Sequence, residues 1–520
     1  ALNPGDSVER HFMDTIEGGK WLPNQDLAWT LVETAVERVH ELENEVGCFF
    51  DRNADGSLHG KAFAGQTFDR TVHKGDLTGI EIINRLMEQV WALPVTRLEE
   101  HRAIALIPDA EGASISGVLM IDIRTGGFLF VEAKAVLLAT GGGPTMYRYH
   151  TPSGDKSMDG LAMALDAGLP LRDMEMVQFH PTGVLAGRDT RMTGTIIEEG
   201  LRGAGGYLLD GDKNRFMANY HERAERATRD IVSRAMFEEM RGGRTTPEGG
   251  LYISMAHLGP EKVAKQFKGM VDRCADCGFD LAGGLVEVVP TAHYLMDGLE
   301  CNVNPSSEWP GLFVAGEDAG GVHGANRLGG NGVANSTVFG GIAGDTMPGW
   351  IARNPHDRAP DEAAITRAVD AATAPFQRTG GDINRVRETL LDAMWNDAGI
   401  LRDADRLARG LATLGEIDAE LHAVGLGDID PAFNLSWHDW LNLESQIKIS
   451  KVIALAALKR ENSRGAHYRE DFPDAGDLDT STFTVVRAKD GTLDVSDAPV
   501  NFTRVKPGET ILHDTPAAAE

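Results

Sequence analysis

The sequence predicts an α/β protein in which a first α/β domain is interrupted by an inserted segment and followed by a helical bundle and a small β-containing tail. Three observations lead there. Short β-rich runs break into glycine, at 135–140 before Gly141-Gly142-Gly143 and at 311–315 before Gly316-Glu317. From 184 to 288 the pattern changes to mixed helices and Gly-rich loops, and strand character returns beyond Pro290. After Pro355 apolar residues recur at helical spacing.

The elements follow in order. Residues 27–45 read as an amphipathic helix carrying Leu31, Thr34, Ala35, Val39 and Leu42. A second at 78–91 gathers Ile80, Ile83, Leu86, Met87 and Val90 on one side. Strands are expected at 103–108, 115–122 and 128–132, the last two joined across Gly126-Gly127 as a hairpin. A short helix at 159–167 stops at Gly168-Leu-Pro170. The first part of the α/β domain thus spans 1–183. The insertion, 184–288, contains helices at 230–241 and 260–274, and the domain resumes over 289–354 with a Gly-rich helix at 337–348. The bundle, 355–462, carries helices at 361–376, 383–393, 403–411 and 437–460, with Ser436 as N-cap of the last. Strands at 481–486 and 493–505 belong to the tail, 463–520, whose residues 516–520 are expected to fray.

Composition narrows the function. The chain has 520 residues, 42% hydrophobic and 25% charged, ordinary for a globular protein of several domains. Its net charge of −28 would repel nucleic acid. The longest apolar runs, such as 452–458, fall far short of the ~20 residues of a membrane helix, so any anchor comes from another chain. Four cysteines make no disulfide framework and fit a reducing compartment. Cys274-x-x-Cys277 lacks a second pair or a nearby His, and its spacing reads as incidental. The chain opens at Ala1 without an initiator Met and enters a turn at Asn3-Pro-Gly-Asp6, the pattern of a beginning in mid-protein.

The most informative stretch is His323-Gly-Ala-Asn-Arg-Leu-Gly-Gly-Asn-Gly332. It sets an imidazole and the Arg327 guanidinium among glycines, where backbone can approach a flat ligand and Arg can grip a carboxylate. With the strand and Gly-Glu just upstream, it suggests a dinucleotide-type cofactor beside an anionic substrate. Other groups stand out: His180 in Gln178-Phe-His-Pro-Thr-Gly183, Glu199 and Arg202 at i, i+3, Arg229-Asp230, and His293 in Pro290-Thr-Ala-His-Tyr294. Each alone has an ordinary structural explanation. There is no complete G-x-G-x-x-G fingerprint.

Taken in order, these motifs resemble the flavoprotein subunit of succinate dehydrogenases and fumarate reductases. The matching residues are 178–183 (QFHPTG), 199–206 (EGLRGAGG), Arg229-Asp230, 290–294 (PTAHY), Gly316-Glu317, 323–331 (HGANRLGGN) and 463–473 (SRGAHYREDFP). The likeness runs almost end to end and weakens over the last ~45 residues. It implies a Rossmann-like FAD-binding domain interrupted by an α+β capping domain, with the glycine fingerprint upstream of Ala1. The flavin is expected to be FAD, covalent or not undecided.

The same resemblance implies the site. His180, His293 and Arg327 would clamp substrate carboxylates, with Phe63 packing on the substrate. Arg229 would exchange a proton with substrate carbon, and Glu199 and Arg202 would relay it. Gly141, Gly142, Asp159, Glu317, Gly330, Asn331 and Ser336 would contact FAD. No metal is implied. An iron–sulfur subunit or a soluble electron donor would carry electrons, and the chain would be cytoplasmic or, through a membrane-anchor subunit, peripheral on the inner face of the cell membrane, in electron transport and the tricarboxylic acid cycle. Two departures stand out. Glu198 lies where the family usually has a hydroxyl that contacts a substrate carboxylate, so it either turns away, is protonated, or meets a substrate with another group there. Residues 332–336 (GVANS) replace the more usual Ser-Leu.

The expected activity is interconversion of succinate and fumarate, or a close dicarboxylate analogue. An L-aspartate oxidase, to which Glu198 would offer an anion for an amine, or a reductase of another unsaturated acid, is the alternative. A flavin carrier without turnover would lack the His/Arg clamp, which is present.

Overall fold

The computed structural model describes residues 2–512 apart from 64, 155, 188, 189 and 191; the expected fraying at 516–520 lies outside the described residues. Helical periodicity governs the long helices. Gln25–Glu41 starts where the Asn24 side chain accepts from the Asp26 and Leu27 N–H groups, and it buries Leu27, Leu31 and Val32. A single π turn, Leu42–Val46, ends it. Leu27 and Leu31 pack on Val338 and Phe339 of the helix Asn331–Arg353.

Five sheets are present among the described residues, the smallest pairing Gly60–Lys61 with Thr71–Val72. The central one has strand order Val177–Val184, Val286–Leu295, Leu251–Ser254, Tyr207–Leu209, antiparallel throughout. Residues between Val184 and Val288 supply its outer strands and close a hydrophobic cluster of their own, including Ile197, Leu208, Val232, Leu251 and Val286. Val136–Leu138 and Leu312–Val314 pair in parallel, and both lead into glycine at their carboxyl ends. His101–Pro108, Ile115–Asp122 and Phe128–Glu132 form an antiparallel sheet with the expected hairpin. The tail hairpin, Thr482–Lys489 with Thr492–Pro499, adds to Leu171–Arg172, which ties the end of the chain to the α/β body.

The helices Ile383–Asp397, Ala404–Leu421 and Leu435–Lys459 pack together as the bundle. The last is buried almost all round, as an apolar stripe wider than one face requires. Trp437 is fully buried, donates from Nε1 to the Ala372 carbonyl at 2.7 Å, and meets Phe128 and Phe376 edge-on. No helix among the described residues is long and apolar enough to cross a membrane.

Several expectations need correction. Asn434, not Ser436, caps Leu435–Lys459: its side chain accepts from the Trp437 N–H at 2.9 Å. Asn and Ser are comparable caps, so only the backbone turn decides between them. The helix expected at 260–274 breaks at Phe267 (φ −124, ψ 40) into Pro260–Gln266 and Lys268–Asp276. The Gly-rich helix begins at Asn331, six residues before the expected start at 337, because glycine hides the periodicity of its first turns. The helix at Thr78–Ala92 is present, but its apolar side is bare: Ile80 and Ile83 are 58% and 60% exposed, and only Ile82 is buried. Periodicity showed the helix and not what covers it.

Trp437→Ala should cost about 3–5 kcal/mol, since a large side chain is removed where three elements meet and cannot collapse together. Urea unfolding curves of the variant and the parent protein check this.

Candidate active site

The site is built on two paired strands. Val177–Val184 is buried at every position, so its backbone groups must find partners in Val286–Leu295. The pairing sets Thr291 opposite His180 and Tyr294 opposite Gln178. A register shift between Ala292 and Tyr294 leaves His293 as the extra residue, the kind of bulge that re-aims a side chain. The His180 and His293 rings lie 5.5 Å apart, edge to face.

Both imidazoles are held well below their ordinary value near 6.5, first by burial and then by the Arg229 guanidinium. They are neutral at pH 7 and able to donate one hydrogen bond each. The Thr182 N–H donates weakly to His180 Nδ1 at 3.3 Å, which assigns the proton to Nε2. His293 Nδ1 shares a 2.8 Å hydrogen bond with the Thr151 hydroxyl.

Arg229 is the first residue of the helix Arg229–Arg241, a position where the helix dipole disfavours a cation. Glu199 offsets this: Arg229 Nε and Nη2 donate to Glu199 Oε2 at 3.0 and 2.6 Å, while Nη1 donates to Gln178 Oε1 at 3.0 Å. Arg202 Nη2 donates to the other Glu199 oxygen at 3.3 Å, and its Nη1 to the Glu225 carbonyl at 2.8 Å. Burial opposes ionisation of Glu199, yet Arg229 and Arg202 hold its carboxyl below the usual range. The chain Arg229–Glu199–Arg202 is continuous by hydrogen bonds.

Arg327 differs from these. It is buried and stacks its guanidinium 4.3 Å from the Tyr294 ring centroid. Its Nη1 donates only to the Leu328 carbonyl at 3.4 Å, its Nε has no partner, and no carboxylate pairs with it among the described residues. Burial, then Arg229, lowers its pKa to about 10. His323, from the same motif, is buried and lies 3.4 Å from the Tyr294 hydroxyl.

A cavity of about 420 Å³ joins these groups. His180, Glu199, Arg229, His293 and Arg327 all line it, with Phe63, Gly330 and Asn331. Phe63 packs over Gly329. Glu198 also lines it, ion-paired to Lys61 at 2.9 Å. It neither turns away nor stands as a bare anion. Lys61, Gln178 and Thr151 were not singled out by sequence; Gln178 lay inside a noted motif, whereas Lys61 carries no local signal.

The expected cofactor residues fall into three groups. Gly330 and Asn331 line the cavity; Asn331 bonds His11 at 3.0 Å and Thr15 at 3.1 Å. Gly330 (φ 85) needs the left-handed conformation that opens Asn331–Arg353, and no side chain caps that helix start. Gly141, Gly142, Glu317 and Ser336 gather beside the carboxyl ends of the parallel strands. There a Cβ on Gly142 would collide with the Glu317 carboxyl, and Gly316 adjoins Ser336. The Gly141 N–H donates to Asp318 at 3.0 Å, and burial raises the Glu317 carboxyl to about 7. Asp159 belongs to neither group: it pairs with Arg102 at 2.8 Å and accepts from Ser445 at 2.9 Å, on a separate cavity against the bundle. The helix it begins packs on His101–Pro108 and Leu435–Lys459, while its next residue, Gly160, abuts Thr140 and Asp318 beside Gly141.

These residues fit a flavin dinucleotide. Such ligands bind outside the carboxyl ends of parallel strands, where a buried acid can take ribose hydroxyls. An uncapped helix N-terminus beside a buried guanidinium suits the electron-rich edge of a reduced flavin. Asn335 Oδ1, buried on that helix, lacks a partner.

Fold and site together define a nucleotide-cofactor oxidoreductase with an anion clamp. The FAD binding domain model matches residues 1–333, and the fumarate reductase flavoprotein C-terminal model matches 387–511. One chain of the CoM/CoB fumarate reductase of Methanothermobacter marburgensis is 36% identical over 479 residues, 91% of this chain and 85% of that one. An uncharacterized FAD-dependent oxidoreductase of Methanocaldococcus jannaschii is 37% identical over 477 residues, 91% and 85% of the two chains. A variant of the E. coli quinol fumarate reductase flavoprotein superposes with a TM-score of 0.92 at 30% identity, covering 98% of this chain and 89% of that one. The chain belongs to the fumarate reductase flavoprotein family and is an FAD-dependent oxidoreductase.

An imidazole held neutral in the fold takes up a proton on unfolding below pH 6.5, so acid lowers stability from there downward. The His180→Gln/His293→Gln double variant should lose stability less steeply between pH 6.5 and 5. Urea titrations across that window check the slope.

Proposed function

We propose that the chain interconverts succinate and fumarate, or a close dicarboxylate analogue, with proton transfer through Arg229. One observation carries this reading: buried Arg327 has no ion-paired carboxylate among the described residues and faces, with two neutral imidazoles, a cavity that Arg229 also lines. An uncompensated buried guanidinium is costly, and a substrate carboxylate is the group that relieves it.

Arg327, His180 and His293 bind and orient that carboxylate, which makes the reaction effectively intramolecular. Arg327 also stabilises the charge that develops toward it in the transition state. Arg229 holds the proton for the substrate carbon. Glu199 and Arg202 replace it at once, as a guanidinium with a pKa above ~12 in water requires. Phe63 walls the substrate, and Glu198 with Lys61 forms a polar contact to it. Gly141, Gly142, Glu317, Gly330, Asn331 and Ser336 would hold FAD, which when bound supplies hydride chemistry at flavin N5.

In this reading residues 184–288 act as a capping domain over an FAD domain formed by 1–183 and 289–354, with a helical domain at 355–462 and a C-terminal segment at 463–520. The relatives named above include subunits of larger enzymes. Four free cysteines, Cys48, Cys274, Cys277 and Cys301, are too scattered to build iron–sulfur clusters, and an iron–sulfur partner or a soluble electron donor would carry the electrons. A membrane-anchor protein would keep the complex on the inner face of the membrane. An L-aspartate oxidase needs Glu198 free for an amine, and Lys61 already neutralises it.

Arg229→Ala should cut succinate-dependent dye reduction by about 10²-fold to 10⁴-fold while the bound flavin spectrum persists. Retained turnover would remove Arg229 from the mechanism. Arg327→Ala should lower kcat/KM for both succinate and fumarate, read from steady-state kinetics in each direction.

A further inference from the structure

Lys61 Nζ donates to Glu198 Oε1 at 2.9 Å and to the Gly75 carbonyl at 2.7 Å. An ammonium has three N–H groups, so Lys61 keeps one donor in reserve. The second Glu198 oxygen, Oε2, has no hydrogen-bond partner among the described residues. Both side chains line the same cavity as Arg229, Arg327 and the two imidazoles, and they are 26% and 18% exposed.

Beside Arg70, His73, Asp76 and Arg273, which also line it, the cavity offers two unlike sets of polar groups next to Arg229. Arg327, His180 and His293 offer donors and positive charge, and call for one anion. Lys61 and Glu198 together carry no net charge and present a spare donor beside a spare acceptor. A second substrate carboxylate would set its charge against Glu198 Oε2. An uncharged carboxamide satisfies both partners, because its oxygen accepts from Lys61 and its N–H donates to Oε2. A site built this way discriminates by what it leaves unpaired.

We propose that Lys61 and Glu198 are a specificity pair, and that beside a dicarboxylate the cavity accepts a substrate analogue with one free carboxylate and, at its other end, an uncharged group that both donates and accepts hydrogen bonds. The half-amide of a four-carbon unsaturated diacid is the simplest such molecule. This rests on the proposed reading of the cavity as the substrate site, and names the class of substrate it takes.

The test compares fumarate with its monoamide on the FAD-loaded protein, using reduced-dye oxidation, in the parent chain, Glu198→Thr and Lys61→Met. The parent should use the monoamide at least as efficiently as fumarate. Glu198→Thr, which frees the Lys61 ammonium for a carboxylate, should shift the kcat/KM ratio toward fumarate by roughly tenfold or more. Lys61→Met should depress both compounds while leaving the ratio on the monoamide side. Calorimetric titration with the succinic monoamide gives a second readout independent of turnover, with the same order of affinities expected. If Glu198→Thr loses its flavin, Glu198→Gln serves the same comparison, since it too removes the charge. Fumarate turnover with a ratio that neither Glu198 substitution moves overturns the specificity pair and leaves the succinate–fumarate reading standing. Failure of both compounds to react or bind overturns the reading itself.

Discussion

The antiparallel pairing of Val177–Val184 with Val286–Leu295 is the constraint on which the site depends. Both strands are buried along nearly their whole length, so each must satisfy the other's backbone. That requirement sets the register, and register sets chemistry: a slip of one residue would turn Gln178 and His180 to the opposite face. The pair has two register shifts, one between Val289 and Thr291 next to His180 and one at His293, and both imidazoles border the same cavity. Each strand then leaves the pair toward the 184–288 segment or toward Glu317 and Arg327. The polar groups of the cavity therefore meet where two hydrophobic clusters adjoin.

Buried charge in this protein is of two kinds. Arg460 bonds Asp173 at 2.7 Å and Glu175 at 2.5 Å, and Thr484 closes the second Glu175 oxygen at 2.7 Å. Arg402 adds a 2.8 Å bond to the Glu175 carbonyl. This network joins the bundle and tail to the strand that carries His180. It positions more than it stabilises, because desolvation of buried ions consumes most of their attraction. Arg327 has the opposite character, with its Nε orphaned and no carboxylate ion-paired to it among the described residues. Stability alone gives no reason to keep such a group. A pairing deficit at a cavity wall is the physical mark of a ligand's place.

The glycine-rich motif shows why local sequence and long-range structure both matter. Gly330 allows the sharp turn that starts a 23-residue helix, and the same turn presents Arg327 to the cavity. Its neighbour Gly329 gives room for Phe63, which arrives from more than two hundred residues away. Relatives with this fold carry different names, quinol in one and CoM/CoB in another.

Much of the fold was legible because periodicity reports secondary structure directly. The strands at Ile115–Asp122 and Phe128–Glu132, and the helices Ile383–Asp397 and Leu435–Lys459, came within a few residues of their observed bounds, whereas the helix expected at 403–411 runs on to Leu421. The residues His180, Glu199, Arg202, Arg229, His293 and Arg327 were legible too, through motifs whose residue types have little use in a core. Other features were decided by tertiary contact alone. Asp159 lies at the start of its expected helix, yet packing against the bundle takes it to Arg102. Glu198 reads in sequence as an uncompensated anion, and only the fold brings Lys61 to it across 137 positions. The bare apolar side of Thr78–Ala92 belongs to the same class. Sequence by itself determined which segments are helix or strand and which side chains are too polar for a core, because both depend on neighbours within a few residues. Tertiary structure decided which of those side chains share a cavity and which charges are neutralised, because Coulomb and hydrogen-bond partners are chosen by distance in space.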